Sequence, residues 1–165
     1  MKRTITLLVS AAAALVAAAV GSAATAGGYL PGYGTKSVAP GPASALVGVV
    51  SSRFGRILVD GRGHTLYLFE RDKRTASTCY GACATYWPPL TTTAKPQAGR
   101  RIMAGKLGTT KRRDGRLEVT YNGHPLYTFV ADTKRGDTKG QDLNQFGGGW
   151  YVLSQFGKKI ESGGS

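Results

Sequence analysis

Acidic residues are scarce in this chain of 165 residues: nine Asp and Glu stand against 22 Lys and Arg, a net charge of +13. A charge of that size bears on partners and solubility rather than on fold. Cysteine is almost absent too, and Cys79 and Cys83 cannot build the dense disulfide framework of a small secreted scaffold. Missing altogether are G-x-S-x-G, H-E-x-x-H, the phosphate loop and the dinucleotide fingerprint. The sequence thus nominates no catalytic residue, and a non-catalytic protein is expected. Beyond the N-terminus no apolar run is long enough to span a bilayer. Helix-favouring stretches are few there, while Gly reaches 24.

The first 26 residues have the anatomy of a secretory signal peptide. Lys2 and Arg3 give a positive start, Ile5 to Val20 is apolar, and Ala24-Thr25-Ala26 offers small residues before a cut at Gly27. No Cys lies near the cut, so export without a lipid anchor is expected. Without Lys2 and Arg3 the mature net charge is +11. Residues 27–45 are rich in Gly, Pro, Ser and Ala and read as a flexible linker. One domain over 46–160 and a short tail over 161–165 complete the chain.

Within that domain ten residues occur twice. GHTLYLFERD at 63–72 returns as GHPLYTFVAD at 123–132, an offset of 60. Aligned without a gap, 47–72 and 107–132 share 11 identities in 26. Each copy then reaches W-x-x-L, at Trp87–Leu90 and Trp150–Leu153. The repeats are therefore 47–90 and 107–153, and one supersecondary unit is used twice.

Each copy reads as strands. Val47, Val49 and Ser51 alternate ahead of a turn near Phe54-Gly55, and the second copy turns at Asp114-Gly115. Gly61-Arg62-Gly63 and Asn122-Gly123 predict a second tight turn. In the LYLF and LYTF segments, period two puts Tyr67 with Phe69 and Tyr127 with Phe129 on one face. Thr128 replaces Leu68 on the other face, so the Tyr/Phe face is the expected core. Asp72 and Asp132 fall just past the strand, where carboxylates accept turn N–H groups. Ser77 or Thr78 caps a short predicted helix that Pro88-Pro89 stops. A last hairpin is expected to turn at Phe156-Gly157.

Candidate sites follow from residue type. In an exported protein, Cys79 and Cys83 read as a disulfide, with a redox or metal role as the alternative. His64 and His124 are equivalent in the repeats; if they meet on a two-fold axis, they could bind Zn or Cu with Asp72, Asp132 or the thiolates. No other cofactor is expected. Asp132, Asp137 and Asp142 recur every five residues, but Lys134, Arg135 and Lys139 between them favour turn-forming Asp over a calcium loop. Lys111, Arg112 and Arg113 lie at a hairpin turn and are the strongest candidates for contact with anions. The expected partner is an anionic cell-wall polymer or lipid headgroups; export argues against nucleic acid.

The ordered motifs resemble a known family of exported bacterial proteins, the secreted repeat of unknown function, or lipoproteins with a Y-x-(F/W/Y)-x-x-D motif. Here the motif stands as Tyr67-Leu-Phe69-Glu-Arg-Asp72 and Tyr127-Thr-Phe129-Val-Ala-Asp132. STCYGACA with WPPL at 77–90, and GDTKGQ at 136–141, match further marks of the family. The resemblance implies compartment and repeat architecture and no reaction. Many such proteins are lipoproteins, and this chain lacks the Cys for that anchor. The fold expected is all-β: two tandem antiparallel four-stranded repeats packed as one pseudo-two-fold sandwich or barrel, with one short helix near 77–87. A single unit is too small to stand alone.

Overall fold

A computed structural model describes residues 44–161. The expected signal peptide, most of the expected linker and the expected tail beyond Glu161 lie outside the described residues. In chain order the elements are β1 (Leu46–Ser52), β2 (Gly55–Asp60), β3 (Tyr67–Phe69), α1 (Ala82–Tyr86), β4 (Thr91–Thr92), β5 (Gln97–Ala98), a 3-10 turn, β6 (Leu107–Lys111), β7 (Leu117–Tyr121), β8 (His124–Pro125), β9 (Leu143–Gln145) and β10 (Gly148–Val152). The fold is all-β, and the sheets do not close into a barrel.

The duplicated hairpins differ by two compensating shifts that the ungapped alignment hides. β1 pairs with β2 from Val47↔Asp60 to Ser52↔Gly55, leaving a two-residue turn at Arg53-Phe54. β6 pairs with β7 from Leu107↔Tyr121 to Lys111↔Leu117, and the Arg112 N–H bond to the Arg116 carbonyl closes a three-residue turn. The next turn reverses the difference. Asp60 and His64 enclose three residues, whereas Tyr121 and His124 enclose only Asn122-Gly123. Along the returning strand the true offset is therefore 61, and Ile57 corresponds to Glu118.

The repeats are interlaced rather than self-contained. β10, from the end of the second repeat, pairs with β3 of the first, while β4, just past the first repeat, pairs with β7 of the second. At the centre, Tyr67 and Tyr127 exchange backbone hydrogen bonds of 2.8 and 3.1 Å. A pseudo-two-fold axis passes between them, and each repeat's sheet is completed by strand from the other.

Around that axis the aromatic rings pair by symmetry. Trp87 and Trp150 stack face to face at 3.9 Å. Phe69 stacks on the outer face of Trp150 at 4.0 Å, and Phe129 on that of Trp87 at 4.2 Å. Tyr67 meets Trp87 edge-on, and Tyr127 meets Trp150 likewise. Offset and T-shaped contacts of this kind add roughly 0.5–1.5 kcal/mol per pair beyond area burial. Gly140 is required here: a Cβ would lie 2.6 Å from Trp87 and 2.9 Å from Tyr67.

Both faces of the central strands are buried, where the sequence pointed to one. Leu66 and Leu68 join Val47, Leu58, Val119, Tyr121, Leu126 and Leu153 in a second core on the opposite side. Thr128 is only half-buried, so the substitution at that place reflects unequal cover of the two repeats, not an open face. The helix is shorter than predicted. Gly81, at φ 57°, stands before it, and the Thr78 N–H and hydroxyl bind Asp72 instead of capping a turn at 78. The folded part also includes residues ahead of Leu46: Ser44 Oγ donates to the Lys95 carbonyl and the Ala45 N–H to Thr92 Oγ1.

Trp87→Ala or Trp150→Ala is expected to cost about 3–5 kcal/mol, a large share of the ~5–15 kcal/mol that holds a small domain. Phe129 is half-buried while Phe69 is 3 % exposed, so Phe129→Ala should cost less than Phe69→Ala. Urea denaturation of the four variants checks this order; small and equal losses would contradict it.

Candidate functional site

The Y-x-F-x-x-D motif works across the repeats. The Tyr67 hydroxyl donates to Asp132 Oδ2 at 2.6 Å, and the Tyr127 hydroxyl to Asp72 Oδ2 at 2.7 Å. Each carboxylate uses its other oxygen on its own loop. Asp72 Oδ1 accepts the Thr78 N–H at 2.7 Å, and Asp132 Oδ1 the Lys139 N–H at 2.9 Å. Period two places Tyr and Phe inward, and the strand ends soon enough for Asp to turn back. Burial pushes both tyrosines well above the usual phenol range, with the nearby carboxylate adding to it for each. Burial also pushes Asp72 and Asp132 up, against the hydrogen bonds that favour their charge. Such hydroxyls are poor nucleophiles at neutral pH; their role is to hold two loops.

The two histidines line two separate grooves. His64 lies with Asp60, Arg62, Thr128, Phe129, Val130 and Asp132 along a groove of about 640 Å³. His124 lies with Leu68, Phe69, Glu70, Asp72 and Lys159 along one of about 290 Å³. The grooves are pseudo-symmetric: each His faces the other repeat's motif. His64 Nδ1 is 3.4 Å from Asp60 Oδ2. Burial lowers the pKa of His124, with the charge of Asp72 acting the other way. Among the described residues no three His, Cys, Asp or Glu side chains are grouped to hold a metal.

Cys79 and Cys83 form the disulfide, with Cα atoms 5.2 Å apart. Both thiols are thereby withdrawn from metal ligation. The bond lies beside a buried charge cluster that the sequence did not announce. Arg112 is only 2 % exposed, and its Nη1 donates to Glu118 Oε2 and Ser77 Oγ, each at 2.6 Å. Its Nη2 donates to the Cys79 carbonyl at 2.6 Å, and its Nε to Asp114 Oδ2 at 3.3 Å. Arg112 therefore leaves the proposed anion-contacting group, because its guanidinium is spent inside the protein. Lys111 and Arg113 stay exposed, with the Arg113 guanidinium 4.2 Å over the Tyr80 ring.

Glu118 takes the place that Ile57 holds in the first repeat, and Arg112 that of Ser52. Its Oε1 has no partner. Burial pushes its pKa up to about 7, the charge of Asp72 adds to this, and Arg112 pulls it back. The one sequence signal for the pair was a lone charged residue, Glu118, in the strand LEVTY. Asp137, by contrast, behaves as the turn-forming residue expected, accepting the Lys134 N–H at 3.2 Å.

A carboxyl whose folded pKa is raised stabilises the fold below its unfolded value of 4.5, and that contribution is lost as pH rises through about 7. Arg112→Met leaves the carboxylate alone and is expected to cost about 3–5 kcal/mol at pH 8, and less at pH 5 where Glu118 takes a proton. The double variant Arg112→Ser, Glu118→Ile, which copies the first repeat, should recover most of the loss and its pH dependence. Denaturation of both at the two pH values checks this; a single-variant loss independent of pH would contradict it.

The described residues contain no helix long and apolar enough to cross a membrane. Neither the curated proteins nor the solved structures compared with the chain include a match. The model of one protein family, described as a secreted repeat of unknown function, matches twice, at residues 48–91 and 108–154. Those spans coincide with the two interlaced units and cover more than half of the chain, which therefore belongs to this family of secreted repeats.

Proposed function

We propose that the protein is a non-catalytic module of the cell envelope that binds anionic polymers or headgroups through its surface charge. One observation carries the reading: the fold covers five of its nine acids, wholly or in part, but only two of its nineteen bases. Nine Asp and Glu and nineteen Lys and Arg lie among residues 44–161. Of the acids, Asp60, Asp72, Glu118, Asp132 and Asp137 are buried or half-buried. Exposed Asp114 is paired with Arg116, exposed Glu70 and Glu161 share Lys159, and Asp142 is the fourth exposed acid among the described residues. Of the bases, Arg112 alone is buried and Lys106 half-buried. Water therefore meets a surface more cationic than the net charge states.

The joining of Cys79 to Cys83 supports the reading of a module without a lipid anchor. The proposed module is released by signal cleavage before Gly27 and held at the envelope by charge rather than by a lipid. Membership of a secreted family supports envelope polymers over nucleic acid as the partner.

Binding of this kind is weak, polyvalent and screened by salt: the Debye length falls from about 10 Å at 0.1 M to about 3 Å at 1 M. Co-sedimentation with purified anionic cell wall is expected at low salt and lost near 1 M. Lys111→Gln with Arg113→Gln removes two exposed cations, each worth about 1 kcal/mol near an anionic surface. The pair should weaken binding roughly tenfold or more at unchanged Tm. Binding that ignores salt, or none at low salt, would reject the reading.

A further inference from the structure

One hairpin tip is built against the preferences of its own backbone. β9 and β10 are joined by Phe146-Gly147, a two-residue turn with both φ positive, at 56° and 81°. Asn-Gly is the usual choice there, because a bulky side chain is strained at positive φ. The same chain uses Asn-Gly at its other turn of this form, Asn122-Gly123, with φ of 51° and 83°. At 146 it places a phenylalanine that is 36 % exposed. Full burial in a core does not account for that choice, because more than a third of the residue stays open to water.

Its surroundings do. The ring of Tyr86, 53 % exposed, lies 6.0 Å from that of Phe146. The N–H of exposed Val130 bonds the Tyr86 carbonyl, and Val130 also lines the His64 groove. Gln145 shares a pocket of about 240 Å³ with the two rings. Its amide is oriented from below. Trp87 Nε1 donates to Gln145 Oε1 at 2.9 Å, and an indole nitrogen can only donate, so the facing atom is oxygen. The Nε2 donor has no hydrogen-bond partner among the described residues. Trp150 Nε1 fixes the backbone of the same residue through the Gln145 carbonyl, at 3.1 Å. Exposed Arg71 bonds the Phe146 carbonyl at 2.8 Å and brings a positive charge to the rim.

We propose that Phe146, Tyr86 and Gln145 form a sugar-ring site, in which a pyranose of an envelope glycan stacks on the two aromatic rings and accepts a hydrogen bond from Gln145 Nε2. The negative π face of each ring attracts the weakly positive C–H hydrogens of a pyranose face. The pocket is smaller than the ~300–1,000 Å³ of drug-sized ligand sites, which suits a single ring. Arg71 favours a glycan that carries acidic groups. The site rests on the envelope reading for its ligand and names the part of the polymer that is held without charge.

The test uses the mature protein and two neutral probes, chitotetraose and cellotetraose, titrated in 1 M NaCl, where charge attraction is screened. Two-dimensional NMR should show saturable shifts of the Gln145 side-chain amide and of Tyr86 and Phe146 with at least one probe. Phe146→Asn puts the preferred residue in the turn, so Tm should hold or rise while sugar affinity falls more than tenfold; Tyr86→Ala should lower affinity likewise. No shift at Gln145 with either probe, undiminished binding by Phe146→Asn, or a lower Tm for that variant would overturn the site. Wild-type protein that fails to sediment with wall at low salt but still binds the sugars would reject the charge reading and uphold this one.

Discussion

Everything in the molecule depends on two hydrogen bonds that cross. Tyr67 of the first repeat is satisfied by Asp132 of the second, and Tyr127 of the second by Asp72 of the first. A buried phenol without a partner costs about 1–3 kcal/mol, so neither repeat can bury its own motif alone. The stack of Phe69, Trp150, Trp87 and Phe129 obeys the same rule, since each indole lies against the other repeat's indole. Strand exchange extends it to the backbone. Duplication here produced one core with two halves of each contact, not two domains side by side.

Divergence is concentrated where the symmetry leaves room. The first repeat has Ser52 and Ile57 where the second has Arg112 and Glu118. The disulfide belongs to the first repeat, yet the Cys79 carbonyl is held by Arg112 of the second. The pinned loop and the buried ion pair are thus one device shared across the axis. Its geometry turns Arg112 inward and leaves the neighbouring cations outside. The surface reading consequently rests on Lys111, Arg113 and the loop cations, not on the whole basic run.

Much of this was legible in the residues. Period two in LYLF and LYTF identified the inward Tyr and Phe, and the turn glycines located the hairpins. The Cys pair announced its own bond, and the 60-residue offset announced the architecture. Partnership across the axis was not legible, because a motif of six residues reads as a local unit and nothing in its spacing says that Asp72 serves Tyr127. The stack was half visible: W-x-x-L stood in both copies, but only the fold shows that the two indoles meet. Glu118 was missed because ungapped alignment set Val59 against Val119 and hid the one-residue shift that puts Glu118 in place of Ile57. Phe146 was missed for a different reason: in sequence it reads as one more loop residue, and its meaning lies in a backbone angle.

The central claim is that the motif is completed between repeats, and a pair of double-mutant cycles tests it most directly. Tyr67→Phe with Asp132→Asn probes the pair across the axis, and Tyr67→Phe with Asp72→Asn the pair within one motif. Denaturant unfolding gives the coupling energy of each cycle. The crossed arrangement predicts a coupling of roughly 1.5–3 kcal/mol for Tyr67 with Asp132, as for a hydrogen bond to a charged group, and close to none for Tyr67 with Asp72. Coupling confined to Tyr67 and Asp72 would contradict it.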